Sequence, residues 1–398
     1  MKIALLSPSI YMSPTHFGDM IFAPRDLSID LANGLVKRGH EVYFFTTPDI
    51  MTTAHLIGGD KDLLEKDYVH AMLGNTQSER LEWGYRSVLK HNFETDLTMR
   101  CYQMVKKEGF DIIHSYHERM AHFFDEMTGI PTVYTLHDPL PESELNLKYW
   151  LLQKFSHHNY VSISNAFRVH PTLHLNFVDT VYHGIRTPQG EASERGGTYL
   201  AFMARLIAEK GIEDAIETAT QVHVPLKVAS SKAKENTSDD AYFNTTIAPL
   251  VKKNDVQFTG FMDVGGKQKF FANAIALLFP IHWEEPFGMV MIEAMACGTP
   301  VIAYNRGSVA EIVKDGVTGF IINEMPNVEC QIINGKQLQI QKTGIEGLVE
   351  AVKRIGEIDR AACRRHVEEN FTVEKMVEGY EKVYQKVFRD LASKGLTF

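Results

Sequence analysis

The residue whose surroundings most demand a chemical explanation is Glu293. Residues 288–298 read GMVMIEAMACG, and between the two glycines it is the single charged position. On a 3.6-residue period Glu293 shares a face with Met289 and Ala296, so the pattern offers it no solvated stripe. A buried carboxylate without a partner is costly, and two adjacent ribose hydroxyls would satisfy it. The alternative is a structural ion pair inside the core. Glu285 precedes this helix across a Pro-Phe-Gly turn, and Phe287 to Val290 bring backbone N–H groups to the helix start. Such groups lack internal acceptors and carry partial positive charge, so they attract phosphate and sugar oxygens. A carboxylate beside them can accept from sugar hydroxyls, and on sequence alone Glu284 competes equally with Glu285 for that place. Upstream, AFMARLIAEKG sets Arg205 and Lys210 between a strand and a helix. A planar guanidinium and a point-charge ammonium suit a diphosphate, although a solvated loop would hold the same residues.

These side chains need a scaffold, and the sequence supplies two. MKIALLSP, then a helical spacing through Leu27, Leu31 and Leu35, then HEVYFFTT make a βαβ unit. Residues 51–110 are more polar and helix-like, after which DIIHSY, PTVYTLHD and NYVSIS return as short strands. An exposed connection near 184–197 leads to TYLAFMA, PLKVAS, VQFTGF, AIALLFP, TPVIAYN and TGFII, again with helical intervals. The reading is α/β throughout: a first domain over residues 1–185 and a second over 186–374. A final amphipathic helix carries Met376, Tyr380, Val383 and Val387 on one stripe, and its stretch of about 375–398 is expected to pack back onto the first domain. Two doubly wound parallel sheets are expected to face each other across a cleft, with ligands outside the carboxyl ends of their strands.

Composition excludes other classes. A chain of 398 residues with 44% hydrophobic and 23% charged residues is too long for one core and too apolar for disorder. Net charge is −9 without a dense basic run, so nucleic acid is not an expected partner. No apolar stretch approaches a membrane span, and the expected location is the cytoplasm. Cys101, Cys297, Cys330 and Cys363 lie far apart and read as reduced thiols. Asp60-Lys61-Asp62 spells a DxD pair but opens a polar helix, where acids are favoured anyway. Most of the 17 histidines fall in the first half without a metal-ligand spacing, so no metal is expected; His114, His117 and His122 are candidates to line an acceptor pocket.

Taken together the residues resemble the retaining glycosyltransferases of family 4, which have the GT-B fold of two Rossmann-like domains. The family's E-x7-E motif is matched by Glu285 and Glu293, its arginine-lysine pair by Arg205 and Lys210, and its histidine after a strand of the first domain by His137 in TLHDP. TYLAFMARLIAEKG with LFPIHWEEPFG looks most like the branch containing the avilamycin glycosyltransferase.

The resemblance implies transfer of a hexose-type sugar from a nucleotide-diphosphate donor, UDP by family habit, to an acceptor hydroxyl, with retention and without metal or cofactor. It implies that Arg205 and Lys210 hold the diphosphate and that Glu293 binds the ribose. Glu285 with the N–H groups of Phe287 and Gly288 would hold the donor sugar, and those of Met289 and Val290 the phosphate side. His137 would assist the oxocarbenium-like transition state. The sequence departs from the family twice. Phe22-Ala23 falls where a Gly-Gly loop is usual, unless Gly18 takes that part in donor binding, and Ala310 stands where a proline commonly precedes the glutamate. Rival readings are a sugar-nucleotide epimerase or phosphorolytic enzyme on the same scaffold, and a nucleotide-sugar-binding protein whose catalytic site has decayed. The acceptor is not named by the sequence.

Overall fold

A computed structural model describes residues 1–18, 22–74, 76, 78–116, 119–188, 196–230, 238–260, 262–325 and 338–393. The chain divides into two compact units, one of Met1–Ile163, Arg168–Tyr182 and Val373–Phe398, the other of Ser164–Phe167 and His183–Thr372.

The first unit holds seven strands: β1 (Lys2–Leu6), β2 (Glu41–Thr46), β3 (His55–Gly58), β4 (Ile112–Ser115), β5 (Thr132–Thr135), β6 (Asn159–Ser162) and β7 (Phe177–Thr180). They pair in the order β3-β2-β1-β4-β5-β6-β7, all parallel. The central strands are apolar runs because helices cover both faces: Ile3 to Leu6 are fully buried, and Ile3 lies opposite both Val42 and Ile112. Strand order reverses between β1 and β4. The helix Ala23–Lys37 buries Leu27, Leu31 and Leu35, the spacing read from the sequence. The polar region resolves mainly into a 30-residue helix, Glu79–Glu108, which ends at Gly109 in the left-handed region. Asp60 accepts from the Asp62 N–H at 2.8 Å in the turn before the short helix Asp62–Glu65, whose N-cap is Lys61 without a side-chain cap, and Asp62 pairs with Lys66.

The helix Val373–Ser393 completes this unit. Met376, Tyr380, Val383 and Val387 are buried, with Val377 and Tyr384 beside them. Gly34 lets it approach the helix Ala23–Lys37, since a Cβ there would lie 2.5 Å from Val377 Cγ2. Its tyrosines enter a buried polar chain: the Tyr384 hydroxyl is 2.7 Å from His114 Nδ1, His114 Nε2 is 2.8 Å from Thr135 Oγ1, and Thr135 donates to the Tyr380 hydroxyl at 3.1 Å.

The second unit holds β8 (Tyr199–Met203), β9 (Leu226–Ala229), β10 (Val256–Phe258), β11 (Ala274–Phe279), β12 (Val301–Tyr304) and β13 (Gly319–Ile322), in the parallel order β10-β9-β8-β11-β12-β13. The order reverses between β8 and β11, which is where an open sheet of this kind leaves a crevice at the carboxyl ends of its strands. Gly211, at φ +69°, brings the loop after β8 against the loop after β11, because a Cβ there would lie 1.8 Å from the Pro280 carbonyl oxygen. Cys101, Cys297 and Cys363 are free and buried, and Cys330 lies outside the described residues.

Candidate functional site

In the second unit, Lys210 closes a short 3-10 turn after β8 and Glu285 lies in the turn after β11. Lys210 Nζ is 2.8 Å from Glu285 Oε2, and the same oxygen accepts from the Trp283 indole N–H at 2.8 Å. The ammonium also sits 4.1 Å from the centre of the Trp283 ring. Lys210 and Glu285 side chains are only 12% and 10% exposed, so each depends on the other for charge compensation. Arg205, exposed just beyond β8, pairs with no acid among the described residues.

The turn itself is held from behind. The carbonyl of Glu285 accepts from the Ser308 N–H at 2.9 Å, that of Pro286 from Ser164 Oγ at 2.7 Å, and that of Phe287 from Ser308 Oγ at 2.8 Å. Gly307, at φ +54°, permits this approach, since a Cβ would stand 2.4 Å from the Glu285 backbone nitrogen. The helix Met289–Ala296 then starts from Gly288 at φ +78° without a side-chain cap. The N–H groups of Met289 and Val290 have no intrahelical acceptor at that position. Glu284 and Glu285 are told apart here. The Glu284 side chain is 70% exposed and holds Arg306 Nη1 at 3.2 Å and the Gly307 N–H at 2.6 Å, whereas Glu285 is the buried acid beside the helix start.

Glu293 corrects the sequence reading. Its side chain is 25% exposed, and Oε1 lies 3.0 Å from Lys267 Nζ, so it is neither sequestered nor unpaired. The apolar helix does have one half-open stripe, formed by Met289, Val290 and Glu293, while Met291, Ile292, Ala294, Met295 and Ala296 face the core. The ion-pair alternative is the one present, although at a half-open position rather than inside the core: Lys267 takes one carboxylate oxygen, and Oε2 has no protein partner among the described residues.

Sequence reasoning missed Lys267, Trp283, Ser164 and Ser308. Trp283, immediately before the two glutamates, was the one of these with a local signal. Beside the turn, Arg306 and His282 converge on Glu324, where His282 Nδ1 lies 2.8 Å from the carboxylate. Burial disfavours the charged form of Glu324, but hydrogen bonds from Arg306 and His282 outweigh it and hold the carboxyl below its ordinary range. Ala310 belongs to the short helix Val309–Ile312, whose Glu311 accepts from the Asn165 and Ala166 N–H groups at 2.8 and 2.7 Å.

In the first unit, His137 follows β5, half-buried, with its ring stacked on Tyr116 at 4.6 Å between centres. Burial pushes its imidazole down to about 4, against the opposing pull of Asp138, so it is neutral near pH 7. Gly18 ends the one-turn helix Pro14–Phe17 at φ −58°, an ordinary helical conformation; a Cβ there would meet the Pro14 carbonyl oxygen at 2.6 Å. Phe22 is the N-cap of the helix Ala23–Lys37 and Ala23 its first residue, so no glycine-type loop forms at that pair. His114 and His122 are core residues rather than pocket lining: His114 uses both ring nitrogens internally, and His122 packs against Tyr134 and Phe155. His117 lies outside the described residues.

Residues 28–187 match the family described as Glycosyltransferase Family 4, and residues 186–331 match Glycosyl transferases group 1. The chain is 26% identical over 395 residues to N-acetyl-alpha-D-glucosaminyl L-malate synthase of Bacillus anthracis, spanning 91% of this chain and 93% of that protein. Among solved structures it is similar in fold to sucrose-phosphate synthase from Thermosynechococcus elongatus, with a TM-score of 0.67, 16% identity and coverage of 98% and 100%. It is also similar to Anabaena Alr3699/HepE in complex with UDP and glucose, at a TM-score of 0.61, 17% identity and coverage of 99% and 100%. AviGT4, a glycosyltransferase involved in avilamycin A biosynthesis, aligns at a TM-score of 0.59 with 15% identity and coverage of 97% and 98%. With its two parallel Rossmann-like sheets and its two family segments in this order, the chain belongs to the GT-B glycosyltransferases of family 4 and group 1.

Proposed function

We propose that the chain transfers a hexose-type sugar from a nucleotide-diphosphate donor, a UDP-sugar, to an acceptor hydroxyl, with retention at the anomeric carbon and without a metal ion. The observation that carries this reading is the junction of Lys210, Glu285 and Trp283 beside an uncapped helix start, with Arg205 open next to it. The support for UDP is that Anabaena Alr3699/HepE, similar in fold, holds UDP.

In this mechanism the departing diphosphate gathers negative charge as the glycosidic bond breaks. Arg205, Lys210 and the N–H groups of Met289 and Val290 supply positive charge already in place, which is the economical way to stabilise a leaving group. Glu285 serves two ends: Oε2 keeps Lys210 in position, and Oε1 accepts from a donor-sugar hydroxyl, with the Phe287 and Gly288 N–H groups as further donors to the sugar. Glu293, steadied by Lys267, accepts from the ribose through its second oxygen. His137, neutral at working pH, keeps the part the sequence resemblance implies, assistance to the oxocarbenium-like transition state. Retention follows same-face attack, with Glu285 held by Lys210 and Trp283 rather than free to act as nucleophile. Gly18 has an ordinary helical backbone, and a donor-binding role for it rests on the sequence resemblance alone.

The reading is tested with a panel of nucleotide sugars and no acceptor, following slow donor hydrolysis. Release of free nucleoside diphosphate and sugar from one UDP-sugar is expected, and transfer to water with retained anomeric configuration by NMR accompanies it. Interconversion of the donor sugar without nucleotide release would establish an epimerase instead, and binding without turnover of any donor in the presence of an active acceptor extract would establish a binding protein.

A further inference from the structure

At the amino ends of the first unit's strands, away from the loops that follow β4 and β5, histidine and acidic side chains gather from two distant segments. His157 and His158 lead into β6, and Glu126 caps the helix Met120–Asp125 that follows β4. One ring nitrogen of each histidine and one carboxylate oxygen of Glu126 all lie within 4.8 Å of one another. The two rings meet edge to face at 4.6 Å, and His157 Nε2 is 3.7 Å from Glu126 Oε1.

The three differ in a way that suits a metal site. His158 is buried, with a side chain 5% exposed, while Glu126 and His157 are each 64% exposed. Behind His158 stands an outer shell: His122 Nδ1 is 3.0 Å from its Nδ1, and Asp125 Oδ2 is 3.5 Å from it. Asp125 is itself fixed by Thr132 Oγ1, which donates to Oδ1 at 2.5 Å. A metal-ligating imidazole generally has its other ring nitrogen engaged by such a partner, which fixes the tautomer and the ring plane. The two exposed side chains are free to close onto an ion held by the fixed one.

We propose that Glu126, His157 and His158 form a site for a borderline divalent cation of the Zn2+ class. Two imidazoles and one carboxylate make a nitrogen-oxygen donor set of three, which a water completes to four-coordination. The ion clips the end of the helix Met120–Asp125 to the entry of β6. Its place at the amino ends of the strands makes this a stabilising clip rather than part of the transfer site, since ligands of such sheets bind at the carboxyl ends. The sequence pattern concealed it because the adjacent histidines match no spaced motif and Glu126 lies far upstream.

The test uses the full-length protein stripped with a chelator, titrated with ZnCl2 by calorimetry and with Co2+ followed by visible absorption. One saturable equivalent of Zn2+ is expected, with a tetrahedral Co2+ spectrum and a rise in Tm. His157→Ala and Glu126→Gln, both at exposed positions that do not threaten folding, should each weaken Zn2+ binding by about tenfold or more. Absence of a saturable equivalent in the wild type, or a site of unchanged affinity in both variants, overturns the assignment.

Discussion

At the residue scale, adjacent acids have been given opposite parts by burial. Glu285 is enclosed with Lys210 and Trp283, and Glu284 holds an exposed arginine and a backbone N–H in the next loop. Glu285→Gln keeps an acceptor for Trp283 but removes the charge opposite Lys210, and turnover is expected to fall by about 100-fold or more, the scale of one lost electrostatic contact at a reacting centre. Glu284→Gln should stay within about twofold. Steady-state kinetics on the donor found by the panel checks both, and equal losses would show that the burial difference has no functional meaning. His137→Ala should lower kcat more than it raises KM. Because burial pushes the His137 imidazole down to about 4, the acid limb of kcat should lie near that pH, well below the range of a solvated histidine. An acid limb at about 6.5 that disappears in the variant would contradict the assignment.

At the scale of elements, the loops after β8, β11 and β12 are held together by glycines that tolerate no side chain. Gly307→Ala would place a methyl 2.4 Å from the Glu285 backbone in a left-handed conformation. A loss of about 1–3 kcal/mol in stability is expected, with weakened nucleotide binding beyond it, because the displaced backbone is the one that carries Glu285. Denaturant melts and nucleotide titration separate the two effects, and a stable variant with intact binding would show that the turn is not positioned from behind. Most strands and the main helices were legible because buried parallel strands read as apolar runs and the flanking helices as 3.6-residue stripes; the stripe through Met376, Tyr380, Val383 and Val387 is buried along its length, whereas the short outer strands β3 and β7 carry too few buried apolar residues to stand out. The tie between Lys210 and Glu285 was not legible, since the pairing of residues 75 apart depends on a close approach set by Gly211 and Pro280. Glu293 was misjudged for a related reason: a helical wheel shows which residues share a face but not that a neighbouring helix brings Lys267 to it.

At the scale of the whole molecule, the first unit carries imidazoles buried in their neutral form. Burial pushes His114 down to about 3 and His137 and His158 to about 4. In the unfolded chain each takes a proton near pH 6.5, while the folded state refuses it until the lower value is reached. The contribution of these imidazoles to stability is therefore full above about pH 6.5 and is lost as pH falls towards 4, by up to about 1.4 kcal/mol per pH unit for each such group. Asp125, raised by burial to about 6, works in the opposite sense over part of that range. His114→Gln removes one buried imidazole and should make the fall of stability between pH 6 and 4 shallower than in the wild type by roughly that slope; an unchanged slope would mean that His114 is not among the groups resisting protonation. The account as a whole rests on a nucleoside diphosphate seated between the Lys210–Glu285 pair, the helix start at Met289 and the open oxygen of Glu293. Calorimetric titration of UDP into the wild type, Lys210→Ala, Glu293→Ala and Lys267→Ala tests this most directly. The account predicts saturable binding to the wild type, weakened by about 1–3 kcal/mol in each of the first two variants and by less in the third. UDP affinity that is unchanged in both Lys210→Ala and Glu293→Ala while their folding is intact would contradict it.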